Sequence, residues 1–389
     1  MAKYKYSYGG ALIGKKEVAA INKVVQKNYW PLASEGEKME QEAAKFLGVK
    51  HGILSNSGSS AGLLALSALE LPKGSEVIIP AVTFPTIFNI ILQCGLTPVV
   101  VDSKIGTYNL ELNEIEAAIS EKTKAIICVH AVGNPVDMPK VMEIAKRHNL
   151  YVLEDNCDGW GGTINGKAVG SFGDISFTSF HAAHIVAMGQ GGGVFTNDEE
   201  LARKVRMYRD WGRQSDIPRR INGDKWPTLP EDYDSRFIYE KIGYNLSPLE
   251  LQAAMGRVQL KKIGKIKKLR ARNFAYLYEK LSKFDDLIMS RWIEGAEPSW
   301  FSFPLSTKSK RGPLVAYLEK NGIETRSMFS GNILRHPAYE NVEARSMITR
   351  GSDCNFILTN SFWVSVHPRY TPKDLAGMVK VFEKYYQNA

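Results

Sequence analysis

The sequence predicts an α/β protein with a mostly parallel central sheet and a smaller C-terminal α+β domain. Between residues 54 and 155, short apolar stretches alternate with amphipathic stretches of helical length. This alternation is typical of parallel strands covered by helices on both faces. From residue 284 onward the pattern is mixed. We therefore expect a large domain over residues 1–260, then linking helices and the smaller domain over 261–389.

The elements are predicted in order from their periodicity. Helical periodicity marks 14–30 and 37–47, and a strand ending near Ser55 leads through small residues into a further helix. The next predicted strands are 76–80, 97–102, 125–130 and 151–155, and the helices between them are 85–93, 111–119 and 137–148. Long helices are expected over 247–283. Residues 214–235 are polar and rich in proline and glycine, which predicts a long loop of functional importance.

Composition excludes several classes of protein. The 389 residues are 44% hydrophobic and 23% charged, as in an ordinary globular protein. The net charge is +9, but the main basic run, residues 261–272, is interpreted as a solvated helix face and not as a nucleic-acid site. The positive balance also suits an anionic small substrate. We expect no nucleic-acid partner.

Cysteine usage and the N-terminus point to a soluble cytoplasmic protein. The four cysteines, Cys94, Cys128, Cys157 and Cys354, stand far apart, so neither a disulfide framework nor a metal site is predicted. The first residues lack the apolar core of a signal peptide, and no apolar run is long enough to span a bilayer. No membrane partner is expected.

Three segments carry candidate chemistry. Gly58-Ser59-Ser60-Ala61 precedes a helix and offers amides and hydroxyls to a phosphate, although a plain N-cap has the same residues. The acids of 154–158 follow a strand at the edge where such sheets bind ligands, or they cap the next element. A strand ending in Ser179, His181 and His184 leads into the glycine run 189–193, where backbone can approach a ligand closely. A lone structural histidine is the alternative reading there.

Together these segments resemble the DegT/DnrJ/EryC1/StrS family, the sugar-nucleotide branch of the pyridoxal-phosphate (PLP) aminotransferases. The resemblance covers nearly the whole chain and implies the aspartate aminotransferase-like fold of type I. The matching motifs, in the family's order, are Ser57-Gly58-Ser59-Ser60, Thr83-Phe84-Pro85, Glu154-Asp155, Gly170-Ser171-Phe172-Gly173-Asp174, Ser179-Phe180-His181, Gly189-Gln190-Gly191-Gly192, and Gly243-Tyr244-Asn245-Leu246 with Gln252-Ala253-Ala254.

One departure from the family pattern is informative. The family has a lysine that forms an imine with PLP, and here that position is His184, with no lysine between Lys167 and Lys204. An imidazole cannot form this imine, so the cofactor must be held non-covalently, most simply as the amine, pyridoxamine phosphate (PMP). With a histidine at this position, the chain resembles a subgroup of the family, the 3-dehydratases of 4-keto-6-deoxy sugar nucleotides.

The resemblance implies a specific reaction. One type in the subgroup carries an iron–sulfur cluster on several cysteines, but this chain has no cysteine between Cys157 and Cys354, so no iron–sulfur cluster is expected. The chain looks more like the type acting on GDP-4-keto-6-deoxy-D-mannose, which uses glutamate to regenerate PMP. The implied function is removal of the 3-hydroxyl in 3,6-dideoxysugar biosynthesis of the colitose kind, while the nucleotide base stays open.

The resemblance also assigns roles to residues. Asp155 would pair with the pyridine nitrogen, Phe84 would stack on the ring, and His184 would move protons, because the ordinary pKa of histidine lies near neutrality. A core aromatic is the alternative for Phe84. The phosphate would be bound by Gly58, Ser59, Ser60 and Ser179, with Asp158 as a further cofactor-binding residue.

Two further roles concern a second subunit and the substrates. Asn245 matches a family position that reaches the phosphate of the neighbouring subunit, which implies a homodimer with shared active sites, although a turn residue is the alternative. Arg213 and Arg335 are candidates for the diphosphate or for the carboxylate of glutamate, because arginine suits planar anions. A packing or surface role is an equal alternative for both.

Two other functions remain open from the sequence. A plain sugar aminotransferase would give an amino sugar and no ammonia, and His184 argues against it. A catalytically silent homologue that binds a sugar nucleotide could also lack the lysine. A homologue that had lost its activity should also have lost Asp155, Ser59 and Ser179, yet all three are present.

Overall fold

The computed structural model describes residues 4–213 and 226–388. Its α-helices are α1 Lys15–Lys27, α2 Ser34–Leu47, α3 Gly58–Ala68, α4 Pro85–Gln93, α5 Leu112–Ala118, α6 Met138–His148, α7 Glu199–Arg209, α8 Glu250–Leu260, α9 Ile263–Leu281, α10 Arg311–Lys320, α11 Asp353–Asn360 and α12 Pro372–Asn388. Its strands are β1 His51–Ser55, β2 Glu76–Pro80, β3 Thr97–Val101, β4 Thr123–Val129, β5 Tyr151–Asp155, β6 Thr163–Ile164, β7 Lys167–Ala168, β8 Ile175–Ser179, β9 Gly192–Thr196, β10 Leu287–Met289, β11 Ala296–Glu297, β12 Phe303–Thr307, β13 Thr325–Ser327, β14 Arg345–Ser346 and β15 Ser361–Val364.

A large mixed sheet forms the centre of the molecule. Its strand order is β1-β9-β8-β5-β4-β2-β3-β14, and every pair from β8 to β14 is parallel. Strand β9 runs antiparallel to both β1 and β8. The inner strands β2 and β4 are almost entirely buried and consist largely of apolar residues, because helices cover both faces. The mostly parallel α/β sheet predicted from the sequence is confirmed.

The observed helices and strands of the large sheet begin and end within about three residues of the predicted positions. Helix α4 and strand β5 begin and end where the sequence predicts. Helix α3 begins at Gly58, with Ser57 as N-cap accepting from the amide of Ser60, so the small-residue motif is the first turn and does not precede it. Part of the glycine run lies in β9, where a Cβ on Gly192 would overlap the carbonyl oxygen of Ser57. That glycine therefore admits neighbouring backbone.

A second, antiparallel sheet has the order β10-β12-β15-β13 and packs its own apolar cluster against α9, α10 and α12. Tyr6 joins this cluster from the N-terminal segment, beside Ile323. The short strand β14 instead extends the large sheet, where Arg345 pairs with Val99. The division between residues 260 and 261 stays a prediction.

The predicted loop and the predicted absence of a membrane span can be examined only in the residues that the structure describes. Of the loop expected over 214–235, residues 214–225 lie outside them, while 235 opens a short 3-10 turn, Ser235–Phe237. Across 4–213 and 226–388, none of the helices has the length and apolar character needed to cross a membrane.

Candidate active site

A cavity of about 720 Å³ opens at the carboxyl ends of the parallel strands. We call it the central cavity. It is lined by residues at the ends of β4, β5 and β8, among them His130, Asp155 and Ser179, and by residues of the second sheet. Open α/β sheets bind ligands at this edge because loops and helix N-termini converge there.

The two acids that end β5 have different environments. Glu154 is fully buried and accepts hydrogen bonds from the amides of Gly170, Phe172 and Gly173, and its Oε2 lies 3.1 Å from His130 Nε2. Burial alone would raise the pKa of Glu154, but these hydrogen bonds outweigh burial and lower it. Glu154 therefore holds the strand ends together and does not line the cavity.

Asp155, by contrast, faces the central cavity. Burial raises the pKa of its carboxyl above the ordinary value, although the amide of Cys157 donates to Oδ1 at 3.0 Å. A buried carboxylate in this position gains free energy from a nearby positive charge. A protonated ring nitrogen of a ligand would provide such a charge.

The first turn of α3 forms a second polar group in the cavity. Gly58, Ser59 and Ser179 line it, and the hydroxyl of Ser59 lies 2.8 Å from that of Thr86. The amides of Gly58 and Ser59 have no intrahelical acceptor, because they belong to the first turn. A Cβ on Gly58 would lie 2.6 Å from Cβ of Ser179. The glycine thus brings the helix N-terminus against the end of β8, where an anion is stabilised.

An aromatic wall faces the cavity from the other elements. Phe84, the N-cap of α4, is 57% exposed and lines the cavity, so the alternative reading of a core aromatic is wrong. Phe301 and Trp363 pack edge to face with ring centroids 5.7 Å apart, and Tyr8 meets Trp363 at 5.4 Å. These rings can enclose a flat ligand.

His184 lies in the turn after β8, with its ring 5.4 Å from that of Phe301. Its Nδ1 atom is buried and makes no hydrogen bond within the described residues, and Oδ1 of Asp158 lies 3.4 Å away. His181 lies beside it, with ring centroids 6.1 Å apart. Burial, and then the charge of His184, lower the pKa of His181. Asp158 and His184 form the acid–imidazole pair of the cavity.

Several predicted site residues lie elsewhere. Ser60 does not line the cavity, because its hydroxyl donates to Asn56 at 2.7 Å and accepts from Ser57. Asn245 and Arg213 line a separate cavity of about 930 Å³, the outer cavity. Arg213 lies 4.8 Å from the ring of Trp211. Arg335 is exposed and lines neither of these cavities.

Other residues line the central cavity without any sequence signal that could have singled them out. Arg326, His336 and Trp363 come from the C-terminal third of the chain, and Tyr8 comes from the N-terminal segment. Long-range strand pairing brings Arg326 beside Trp363 and places the segment of Tyr8 next to β13. Within the described residues, no lysine lines this cavity.

The arrangement fits PLP or PMP. A buried carboxylate, a helix N-terminus with hydroxyls and an exposed aromatic ring suit a pyridinium nitrogen, a phosphate and a ring face. Asp155, Ser59 with Ser179, and Phe84 could hold these parts in that order. His184, which has an unpaired nitrogen beside a carboxylate, could move protons.

Fold and cavity define the class of protein: they are those of the PLP-dependent enzymes of fold type I. The chain belongs to the DegT/DnrJ/EryC1/StrS aminotransferase family, whose model matches residues 11–383. It is 38% identical to the dTDP-4-dehydro-2,6-dideoxy-D-glucose 3-dehydratase of Saccharopolyspora spinosa, over 97% of this chain and 85% of the relative. It is 31% identical to the GDP-4-keto-6-deoxy-D-mannose 3-dehydratase of Yersinia pseudotuberculosis, over 95% and 96%.

Solved structures agree with this family. The E. coli GDP-4-keto-6-deoxy-D-mannose-3-dehydratase with bound hydrated PLP superimposes with a TM-score of 0.89 at 28% identity, covering 97% of this chain and 99% of the other. These similarities confirm the predicted family, fold and cofactor class. The roles of individual site residues stay predictions.

Proposed function

We propose that this protein is a PMP-dependent 3-dehydratase of a nucleoside-diphosphate 4-keto-6-deoxyhexose, with glutamate restoring the amine form of the cofactor. The observation that carries the proposal is His184, with Asp158 beside it and no lysine lining the central cavity within the described residues. Relatives named as 3-dehydratases support it.

The cofactor would supply a primary amine for the 4-keto group and a ring that delocalises the electrons of a broken C–H bond. Asp155 would hold the ring nitrogen protonated and so keep the ring electron-poor. The α3 N-terminus with Ser59 and Ser179 would hold the phosphate, and Phe84 would cover the ring. These contacts fix the cofactor without a covalent bond to the chain.

His184 would perform the proton transfers. In its neutral form it would take a proton from the methylene carbon that carries the amine, and as imidazolium it would protonate the departing 3-hydroxyl, which leaves as water. Asp158 would stabilise that imidazolium. A lysine at this position could attack the cofactor carbon and release an amino sugar, whereas an imidazole moves the proton without displacing the product. Hydrolysis would then release ammonia and leave the cofactor in its aldehyde form, so the cofactor amine supplies the two electrons that the sugar gains as it loses one oxygen.

The substrate proposed first is GDP-4-keto-6-deoxy-D-mannose. The relatives that support a 3-dehydratase differ in nucleotide, since one acts on a dTDP sugar and the other on a GDP sugar. We further propose a homodimer in the cytoplasm. Asn245 faces the outer cavity and not the central one, which fits a residue that serves the neighbouring subunit.

Product analysis tests the function. The protein is incubated with PLP, glutamate and GDP-4-keto-6-deoxy-D-mannose, and in parallel with the CDP and dTDP sugars. Ammonia is assayed and the sugar nucleotide is weighed by mass spectrometry. The expected result is ammonia together with a product one oxygen lighter. An amino sugar without ammonia would mean that the chain is an aminotransferase, and turnover of none of the three would favour a silent homologue.

A further inference from the structure

Arg326 is the one permanently charged cation that lines the central cavity within the described residues. It lies on β13, the edge strand of the second sheet, opposite Trp363 of β15. The other ionisable groups that line the cavity are the carboxyls of Asp155 and Asp158, four histidines, the Cys157 thiol and the Tyr8 phenol. A substrate anion entering this cavity therefore has one guanidinium to pair with.

The guanidinium is held in place from one side. Glu324, itself 8% exposed, accepts from Arg326 Nη2 at 2.6 Å and from the Tyr8 amide at 2.9 Å. Arg326 Nη1 donates to the carbonyl oxygen of Thr325 at 3.1 Å. The charged carbon lies 4.5 Å from the centre of the Tyr8 ring. These contacts orient the fork before any ligand arrives, which reduces the entropic cost of binding.

Most N–H donors of the Arg326 guanidinium remain available to a ligand. An arginine has five N–H donors, and the described residues occupy two of them here. The side chain is 44% exposed, so the remaining donors can reach a ligand. A planar carboxylate matches two parallel N–H donors of a guanidinium.

A series of aromatic contacts runs from Arg326 to His184. Tyr8, which lies under the guanidinium, contacts Trp363; Trp363 contacts Phe301; and Phe301 contacts His184. At the first turn of α3, Ser59 bonds to Thr86, whereas Arg326 bonds to Glu324 and Thr325. The guanidinium is thus free to serve a second anion.

The charge in the cavity selects among anions. Asp155 and Asp158 face the cavity, and Glu324 already offsets much of the charge of Arg326, so the site disfavours a doubly charged diphosphate more than an anion of lower net charge. Glutamate carries one net negative charge, and its ammonium is compatible with the nearby carboxylates. From this geometry we infer that Arg326 binds a carboxylate of the amino donor. The inference rests on the proposed function. It assigns the carboxylate to Arg326, because neither Arg213 nor Arg335 lines this cavity.

The test separates the two half-reactions. R326Q, R326K and the parent are loaded with PLP, and conversion of the cofactor by glutamate is followed by absorbance. R326Q should need about ten- to hundred-fold more glutamate, since a charge-assisted hydrogen bond is lost, and R326K should lie between the two. Ammonia release from PMP-loaded protein should keep the parent's dependence on sugar nucleotide. R203Q is the matched control, because Arg203 is also ion-paired and 42% exposed but lines neither cavity.

A binding measurement keeps the inference independent of turnover. Glutarate, a dicarboxylate without an amino group, is titrated calorimetrically into each PLP-loaded protein. Binding to the parent and to R203Q, with loss in R326Q, supports the inference even if no sugar is dehydrated. Unchanged glutamate and glutarate dependence in R326Q, no binding of glutarate to the parent, or a defect confined to the sugar nucleotide would each overturn it while leaving the dehydratase proposal standing.

Discussion

The Nδ1 atom of His184 and the Oδ1 atom of Asp158 lie 3.4 Å apart, and that nitrogen makes no hydrogen bond within the described residues. A carboxylate in this position favours a proton on Nδ1 and so leaves Nε2 as the basic nitrogen. It also stabilises the ring once the ring is charged. The first prediction follows from this pair.

Replacing Asp158 by asparagine should slow ammonia release on the order of ten- to hundred-fold, because the imidazolium loses its neighbouring charge. The affinity for PLP, measured by fluorescence titration, should change little. D285N, at an exposed position, serves as control. A loss of PLP affinity with an intact rate of the loaded enzyme would show instead that Asp158 binds the cofactor.

Replacing His184 by lysine should create a covalent attachment point for PLP. A lysine amine in this position can form an imine, which borohydride reduces to a stable bond. Peptide mapping should then find the label at position 184 in H184K. The parent, treated in the same way, should carry no label on that peptide. If the PLP-loaded H184K protein carries no label at this position, residue 184 does not face the aldehyde.

Replacing Gly58 by alanine should destabilise the fold by roughly 1–3 kcal/mol, a typical cost of overpacking. The new Cβ would lie 2.6 Å from Cβ of Ser179, so the first turn of α3 should move away from β8; if this turn holds the phosphate as proposed, PLP affinity should fall. Urea unfolding measures the first effect. G264A is the control: Gly264 lies in α9 with nothing within 4 Å of the added Cβ, so the change should be neutral or stabilise by about 0.4–1 kcal/mol. Equal stability of both variants would contradict the proposed close approach.

His367 should make stability depend on pH. Its Nε2 lies 2.5 Å from the carbonyl oxygen of Gly10, and burial lowers its pKa from 6.5 to about 4. Between these values the unfolded chain binds a proton that the folded chain does not, so the free energy of unfolding falls as the pH falls from 6.5 towards 4. H367Q should weaken this dependence in urea unfolding at several pH values.

The control for this pH dependence is H148Q, because His148 is partly exposed on α6. That variant should keep the parent's slope between pH 4 and 6.5. A parent whose stability does not change across this window would show that His367 is not held neutral by the fold.

Much of the large sheet could be predicted from the sequence because its signals are local. Runs of apolar residues predict strand β5 and helix α4, and Pro85 marks the start of the helix. The motif at Ser179 likewise marked the end of β8. The same motifs pointed to Asp155, Phe84 and His184, which line one cavity.

The rest depends on contacts between distant parts of the chain. Strand β14 has two residues and joins the large sheet beside β3, which lies far earlier in the sequence, so no local pattern indicates it. Arg326 reaches the central cavity only because β13 pairs with β15. Arg335 was predicted from the sequence to contact an anionic ligand, yet it is exposed and lies outside both cavities.

The absence of lysine from the described lining of the central cavity also bears on cofactor supply. In a relative whose lysine forms an imine with PLP, that reversible bond adds to the affinity for the cofactor. Here occupancy would obey mass action, with the fraction loaded set by the ratio of free vitamer to its dissociation constant. Dilution or dialysis should therefore strip the cofactor from this protein more readily than from relatives that carry the lysine.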